Sequence, residues 1–186
     1  MVPYIIEQYP SDYKFTVAEI GVAQANNAKV WCKKMNLKQL VLVDNCSDKF
    51  GNVTPEECLS EVGKILKQYD FTVFHNLDSA EAARLYEDEY FDYVYLDGDH
   101  TFNGVWEDLV AWKDKVKKGG FLSGHDYDKN DNVKPGFDYV LDDERFPHCP
   151  SSHVFHVKPA VVKFCSSLKA EVVELPSGEY AIKRTW

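Results

Sequence analysis

Short β-rich runs alternate with helical patterns along most of this 186-residue chain, and that alternation is what most limits its fold. Residues Leu40 to Asp44 read LVLVD, almost wholly apolar, as a strand covered on both faces must be. Comparable runs at Thr16 to Ile20, Phe71 to His75, Phe91 to Leu96 and Phe121 to Ser123 are separated by stretches with helical spacing. Strand and helix in strict turn predict a doubly wound α/β sheet of mostly parallel strands.

The intervening helices carry their own signals. The first follows Gly21, near Asn26 to Met35. Thr54, Pro55 and Glu57 form a helix start, with a hydroxyl cap, a proline in the first turn and an acid three residues after the cap. Ser79 is expected to cap SAEAARLY. A longer helix is expected over Thr101 to Lys117, its late lysines suiting the helix dipole and Gly119-Gly120 stopping it. Trp31, Trp106 and Trp112 stand at helical positions and read as core or interface.

The rhythm breaks over residues 125–157, which are rich in proline and histidine and read as a lid or substrate loop. A helix (Pro159 to Leu168), a strand (Ala170 to Leu175), a turn at 176–178 and a last strand (Glu179 to Lys183) then predict a closing antiparallel hairpin. At this length one domain is expected over 1–186, with residues 1–15 as an N-terminal arm.

Composition bounds the partners. Thirty acids against 21 Lys and Arg give a net charge of −9, which repels phosphate backbones and anionic lipid, so neither nucleic acid nor membrane is an expected partner. The five cysteines are scattered without a CxxC pair and read as reduced thiols. With no export signal or long apolar run, a cytoplasmic protein is expected.

Ligands of such sheets bind beyond the carboxyl ends of the strands. Those ends are Glu19-Ile20-Gly21, Asp44-Asn45, Asn76 to Ser79, Asp97 to His100 and His125-Asp126, nearly all polar. Gly21 admits close backbone approach, and Asp44, 23 residues on, stands where a carboxylate can accept both hydroxyls of a ribose. Taken singly, Gly21 ending a strand and Asp44 capping a helix explain these residues equally well. The run after Gly21 lacks GxGxxG, which disfavours a pyrophosphate cradle. Asp97, His100, His125 and Asp126 close two strands expected to be neighbours, about 5 Å apart, and can converge on one point. Two carboxylates with imidazole can hold a divalent cation. Against this stands the plainer reading in which Asp99 caps the next helix and His125 is a hydrogen-bonded structural residue.

The segments AEIGVAQANNAKV, LVLVD, NLDSAEAA and FDYVYLDGDHTFNGVWEDLVAWKDKVKKGGFLSGHDY resemble the class I S-adenosylmethionine-dependent methyltransferases over roughly residues 16–127. The first segment departs from the family pattern, carrying Ala25 in place of the second glycine of ExGxxxG. The resemblance implies a Rossmann-like, mostly parallel seven-stranded sheet in the order 3-2-1-4-5-7-6, ending in the antiparallel hairpin. It implies that Glu19 and Gly21 line the methionine moiety, Asp44 holds the ribose, Asp78 and Ser79 contact the adenine, and Asp97 lies beside the sulfonium. The LDGDH and HDY motifs look most like the macrocin-type sugar O-methyltransferases and cephalosporin-hydroxylase-like proteins. That likeness implies Asp97, His125 and Asp126 as ligands for Mg2+ or another divalent ion, with His100 as catalytic base and Asp97 beside it. The expectation is therefore metal-assisted O-methylation of a small hydroxylated molecule, sugars included, by a chain whose dimerisation is open. A non-catalytic cofactor-binding protein and a metal-dependent hydrolase or oxygenase are the alternatives.

Overall fold

A computed structural model describes residues 1–46, 53–127 and 157–186. In chain order the elements are α1 (Val2–Ile6), β1 (Phe15–Ile20), α2 (Asn26–Lys34), β2 (Leu37–Val43), α3 (Pro55–Gln68), β3 (Thr72–His75) and α4 (Ser79–Ala83). They continue with β4 (Phe91–Leu96), α5 (Phe102–Trp112), β5 (Val116–Gly124), α6 (Val157–Leu168), β6 (Val172–Glu174) and β7 (Tyr180–Lys183). The seven strands form one sheet in the order β3-β2-β1-β4-β5-β7-β6. β1 to β5 pair in parallel, while β7 runs antiparallel to both β5 and β6. The expected fold class, strand order and closing hairpin are all present.

Alternation along the strands divides the core into two layers. Ala18, Ile20, Val41, Val43, Val94 and Leu96 face a cluster that includes Trp112 of α5 and Phe164 of α6. Val17, Leu40, Leu42, Tyr93 and Tyr95 face the opposite cluster, with Trp31 of α2 and Val62 and Ile65 of α3. β1 and β4 are buried along their whole length because both faces are covered. Trp31 and Trp112 are core residues, and Trp106 packs half-buried against the first cluster.

Thr54 starts α3 as read: its hydroxyl accepts from Glu57 N–H, and the Glu57 carboxylate accepts from Thr54 N–H. Two other boundaries differ. The helix expected to run to Lys117 ends at Trp112, and Gly119 and Gly120 belong to β5. There the β4–β5 register shifts, Gly119 has φ +79°, and a Cβ on Gly120 would lie 2.6 Å from the Asp92 carbonyl oxygen. The glycine pair thus shapes an irregular strand instead of ending a helix. α4 is capped at Asp78, and the Ser79 hydroxyl accepts from Trp112 Nε1 at 2.9 Å.

The late lysines pair with acids instead of a helix terminus. Lys115 meets Asp88 and Lys117 meets Asp92, each at 2.7 Å. Asp92 is a buried strand residue, and it also accepts from Thr16 N–H and Tyr13 O–H at 2.7 Å. Although it follows the acids Glu87, Asp88 and Glu89 in sequence, it ties the N-terminal arm to the sheet. Residues 128–156, most of the expected substrate loop, lie outside the described residues.

Candidate active site

The sheet's parallel ladder continues past the strands and sets the site's backbone. Gly21 N–H donates to Val43 O, Asp44 N–H to His75 O, Asp97 N–H to Ile20 O and His125 N–H to Leu96 O. These hydrogen bonds join the ends of β1 to β5 into one edge. Gly21 has φ +83°, and a Cβ there would fall 2.3 Å from the Asp97 carbonyl oxygen. Only glycine fits both the conformation and the approach.

The chain then turns over Asp44. Its Oδ2 accepts from Val22 N–H at 2.7 Å and Ala23 N–H at 3.0 Å, and its Oδ1 from Cys46 N–H at 2.8 Å. Ala25, where the family pattern has glycine, is the N-cap of α2 and adopts a left-handed backbone with φ 55°. The alanine therefore keeps the conformation that glycine would supply, with its methyl fully buried. Next along the edge, Asn45 Nδ2 donates to Asp78 Oδ1 at 2.8 Å, joining the ends of β2 and β3. Ser79 faces inward to Trp112, so of the two expected adenine contacts its hydroxyl is already engaged.

Glu19 is fully buried within β1, and neither carboxylate oxygen receives a well-aligned hydrogen bond. Burial first, and the Asp97 carboxylate second, push its pKa well above the usual carboxylate range, with Asn27 opposing less strongly. Asn27 also reaches Asp97, its Nδ2 donating to Oδ2 at 3.3 Å. Asp44 and Asp97 thus place two carboxylates at the end of β1, with Glu19 buried behind them in an environment that favours its protonated form.

Asp97, His100, His125 and Asp126 do converge. His100 Nε2 lies 3.2 Å from Asp97 Oδ1, and its Nδ1 lies 3.4 Å from Asp126 Oδ2, so the imidazole bridges two carboxylates. His125 Nδ1 lies 2.7 Å from Asp126 Oδ1 and 4.0 Å from Asp97 Oδ1. Asp126 is buried with φ 56°, whereas His125 is 41% exposed. Asp99 supports the start of α5, accepting from the backbone and hydroxyl of Thr101, which caps the helix through Gly104 N–H.

Two features were not read from the sequence. Asp108 is buried on α5, and its pKa is pushed up to about 7, chiefly by burial, with Ser79 hydrogen bonding opposing. It lines a small, partly open cleft together with Gly98, Asp99, His100, His125 and Tyr180. The signal was an acid on the apolar face of a helix, three residues after Val105 and one before Leu109, both buried. The second is a pairing of Cys46 with Cys58, whose sulfurs lie 2.9 Å apart. Among the described residues, the group with ligand atoms all within 4.8 Å of one another is Asp44, Cys46 and Cys58. Asp97, His125 and Asp126 are not gathered to that spacing, because the His100 ring stands between the two carboxylates.

A search of curated proteins gave no match. Among solved structures, the chain superposes on a Corynebacterium glutamicum protein with TM-score 0.62 at 12% identity, covering 95% of this chain and 75% of that one. The CurJ carbon methyltransferase gives TM-score 0.62 at 14% identity, and the pyocyanin biosynthetic protein PhzM gives 0.56 at 13%. Coverage is 97% of this chain for the first and 95% for the second, but the chain spans only 50% and 52% of their lengths. At such identities these likenesses concern the fold. No helix among the described residues is long and apolar enough to cross a membrane. Residues 18–127, from the middle of β1 to just beyond β5, match the methyltransferase-domain family, and the chain belongs to it as a class I S-adenosylmethionine-dependent methyltransferase.

Proposed function

We propose that this methyltransferase acts on the hydroxyl of a small polar acceptor, with His100 as the general base. The observation that carries the reading is the imidazole held between Asp97 and Asp126 at the edge shared with Gly21 and Asp44. The residues present suit the cofactor. Gly21 leaves no side chain in the way, Asp44 offers a carboxylate to a ribose diol, and Asp78 stands further along the same edge for the adenine, the Ser79 hydroxyl being held by Trp112. The Asp97 carboxylate beside the end of β1 favours a sulfonium cation, with buried Glu19 behind it.

When bound, S-adenosylmethionine supplies an electrophilic methyl group. An acceptor hydroxyl must lose its proton as it attacks; with Nδ1 buried toward Asp126, His100 takes that proton at Nε2, where the acceptor hydroxyl replaces the contact with Asp97. The imidazolium so formed lies between two carboxylates, which stabilise its charge in a half-enclosed cleft. Positioning supplies much of the remaining acceleration. Asp99, His100, Asp108 and His125 give the cleft hydrogen-bonding groups beside apolar Leu96 and Val105, and sugars head the acceptor panel.

A divalent cation at Asp97, His125 and Asp126 remains a separate arm of this proposal. In the arrangement described, those donors surround the His100 ring instead of a common point, so no step is routed through an ion. The test is calorimetric titration with S-adenosylmethionine, with magnesium and with chelator, followed by methyl transfer to the panel by the parent and by His100→Gln. Binding that survives chelation, with transfer reduced at least 100-fold in His100→Gln, is expected. No binding at millimolar cofactor, or undiminished transfer by the variant, refutes the reading.

A further inference from the structure

We propose that Cys46 and Cys58 are a reversible dithiol–disulfide pair, an oxidative modification site beside the carboxylate of Asp44. Cys46 lies three residues beyond β2, and Cys58 lies in the second turn of α3. Their sulfurs are 2.9 Å apart, in a region otherwise linked by the Cys46 N–H to Asp44 hydrogen bond. The other described cysteines lie elsewhere, Cys32 on α2 and Cys165 on α6, and Cys149 lies outside the described residues.

Geometry separates a disulfide from a metal clasp. A disulfide requires sulfurs about 2.05 Å apart, so the pair must close by about 0.9 Å. Two thiolates on one zinc, each about 2.3 Å from it in tetrahedral geometry, stand about 3.8 Å apart, so the pair would have to open by a similar amount. The third donor decides the matter. Asp44 already accepts three backbone N–H groups, two on Oδ2 and one on Oδ1, and would have to surrender part of that set to bind an ion. Closure breaks none of them.

The reaction balances with a low-molecular-mass disulfide as oxidant. The thiolate of Cys46, the more exposed of the two, attacks oxidised glutathione and releases one glutathione thiolate. Cys58 then loses its proton to solvent and attacks the Cys46 sulfur of the mixed disulfide, releasing the second. Two protein thiols lose two protons and two electrons, and one oxidised glutathione becomes two reduced. Burial first, and the nearby Asp44 carboxylate, raise both thiols above the usual range, while the hydrogen bond between them raises Cys46 further and opposes the rise at Cys58, so exchange at neutral pH is slow and accelerates with alkalinity.

Both sulfurs lie within 4.8 Å of an Asp44 carboxylate oxygen, so oxidation removes the S–H group left over from the thiol–thiol hydrogen bond as a competitor of ribose hydroxyls for that carboxylate. This coupling rests on the cofactor reading above. Linkage then requires the cofactor to favour the disulfide by the same factor.

The test incubates the full chain with oxidised and reduced glutathione at fixed ratios and several pH values, then maps disulfides by mass spectrometry after alkylation. A Cys46–Cys58 bond reversed by dithiothreitol, absent from Cys46→Ser and Cys58→Ser but present in Cys32→Ser, is expected. Glutathione adducts alone, a different pairing, or one equivalent of zinc retained by both thiols after dialysis would overturn the site. S-adenosylmethionine titrated into oxidised and reduced protein is expected to bind the oxidised form about threefold tighter. Equal affinities would overturn the coupling while leaving the bond. Absence of binding in both forms would instead overturn the cofactor reading.

Discussion

Replacing Gly21 by alanine tests whether the nucleoside and catalytic halves of the site are set by one close approach. Two costs apply. The backbone sits at φ +83°, where an L side chain costs roughly 1–2 kcal/mol. The added Cβ would meet the Asp97 carbonyl oxygen at 2.3 Å and Gly98 N at 2.6 Å, and both are backbone, so relief requires moving the end of β4. Overpacking of that kind costs about 1–3 kcal/mol. Together these give about 2–5 kcal/mol, a drop in Tm of roughly 5–20 °C for a chain of this size. Gly119→Ala supplies the control: its φ is +79°, but nothing lies within 4 Å of the added Cβ, so it carries the conformational cost alone. A fall of about 2–8 °C is expected there. Thermal melts of both variants should be paired with calorimetric titration of S-adenosylmethionine, which Gly21→Ala should bind at least tenfold more weakly. Equal melts for the two variants, with parent-like cofactor affinity in Gly21→Ala, would refute the close approach as the organising contact.

Three further outcomes follow from single side chains. Gly63 lies inside α3 with open space around its Cβ position, so Gly63→Ala should gain about 0.8–1 kcal/mol in urea denaturation; a loss would show the helix packed differently. Asp92→Ala leaves the buried Thr16 N–H without its acceptor and releases Tyr13 and Lys117, which should cost about 2–4 kcal/mol, and a loss below about 1 kcal/mol would contradict the buried network. Asp108, pushed up to about 7 against an unfolded value near 3.8, keeps its proton longer in the folded chain. Its stabilising contribution is full below about pH 4 and is lost as pH rises toward 7, by up to about 4 kcal/mol. Asp108→Asn should flatten denaturation midpoints across that window, and an unchanged slope would exclude Asp108 as its source.

The sheet was legible because a parallel strand covered on both faces has little freedom in composition, as LVLVD and FDYVYL show. The convergence of Asp97, His100, His125 and Asp126 was legible for a related reason: strand ends in a parallel sheet share an edge, and these residues lie within four positions of the ends of β4 and β5. Less was legible where a pairing is local to the folded chain. Gly119 and Gly120 resemble a helix stop, but the irregular register between β4 and β5 claims them. Asp92 resembles a surface acid, yet its position in β4 points it at Thr16 and Lys117. The spacing of Cys46 and Cys58 carries no known motif, since their contact depends on how α3 returns over the end of β2.

That dependence on the folded chain also explains why the site tolerates an alanine where its family pattern has glycine. Gly21 and Ala25 occupy the same turn, but they meet different demands. At Gly21 both the left-handed backbone and the space exclude a side chain, because the Asp97 carbonyl lies against it. At Ala25 only the left-handed backbone is demanded, and the methyl finds room among the buried residues between α2 and the sheet. The conformational cost of alanine there, about 1–2 kcal/mol, is partly offset by that burial and by an unfolded state less flexible than glycine would give. Ala23 shares the left-handed conformation at φ 45° and lends its N–H to Asp44, so the strain at this turn is held by hydrogen bonds onto the residue assigned to the ribose. Loss of the Asp44 carboxylate would therefore loosen the turn itself as well as the ribose contact. Asp44→Asn and Asp44→Ala should accordingly differ in melting temperature as well as in cofactor affinity, the asparagine oxygen still accepting from one side of the turn.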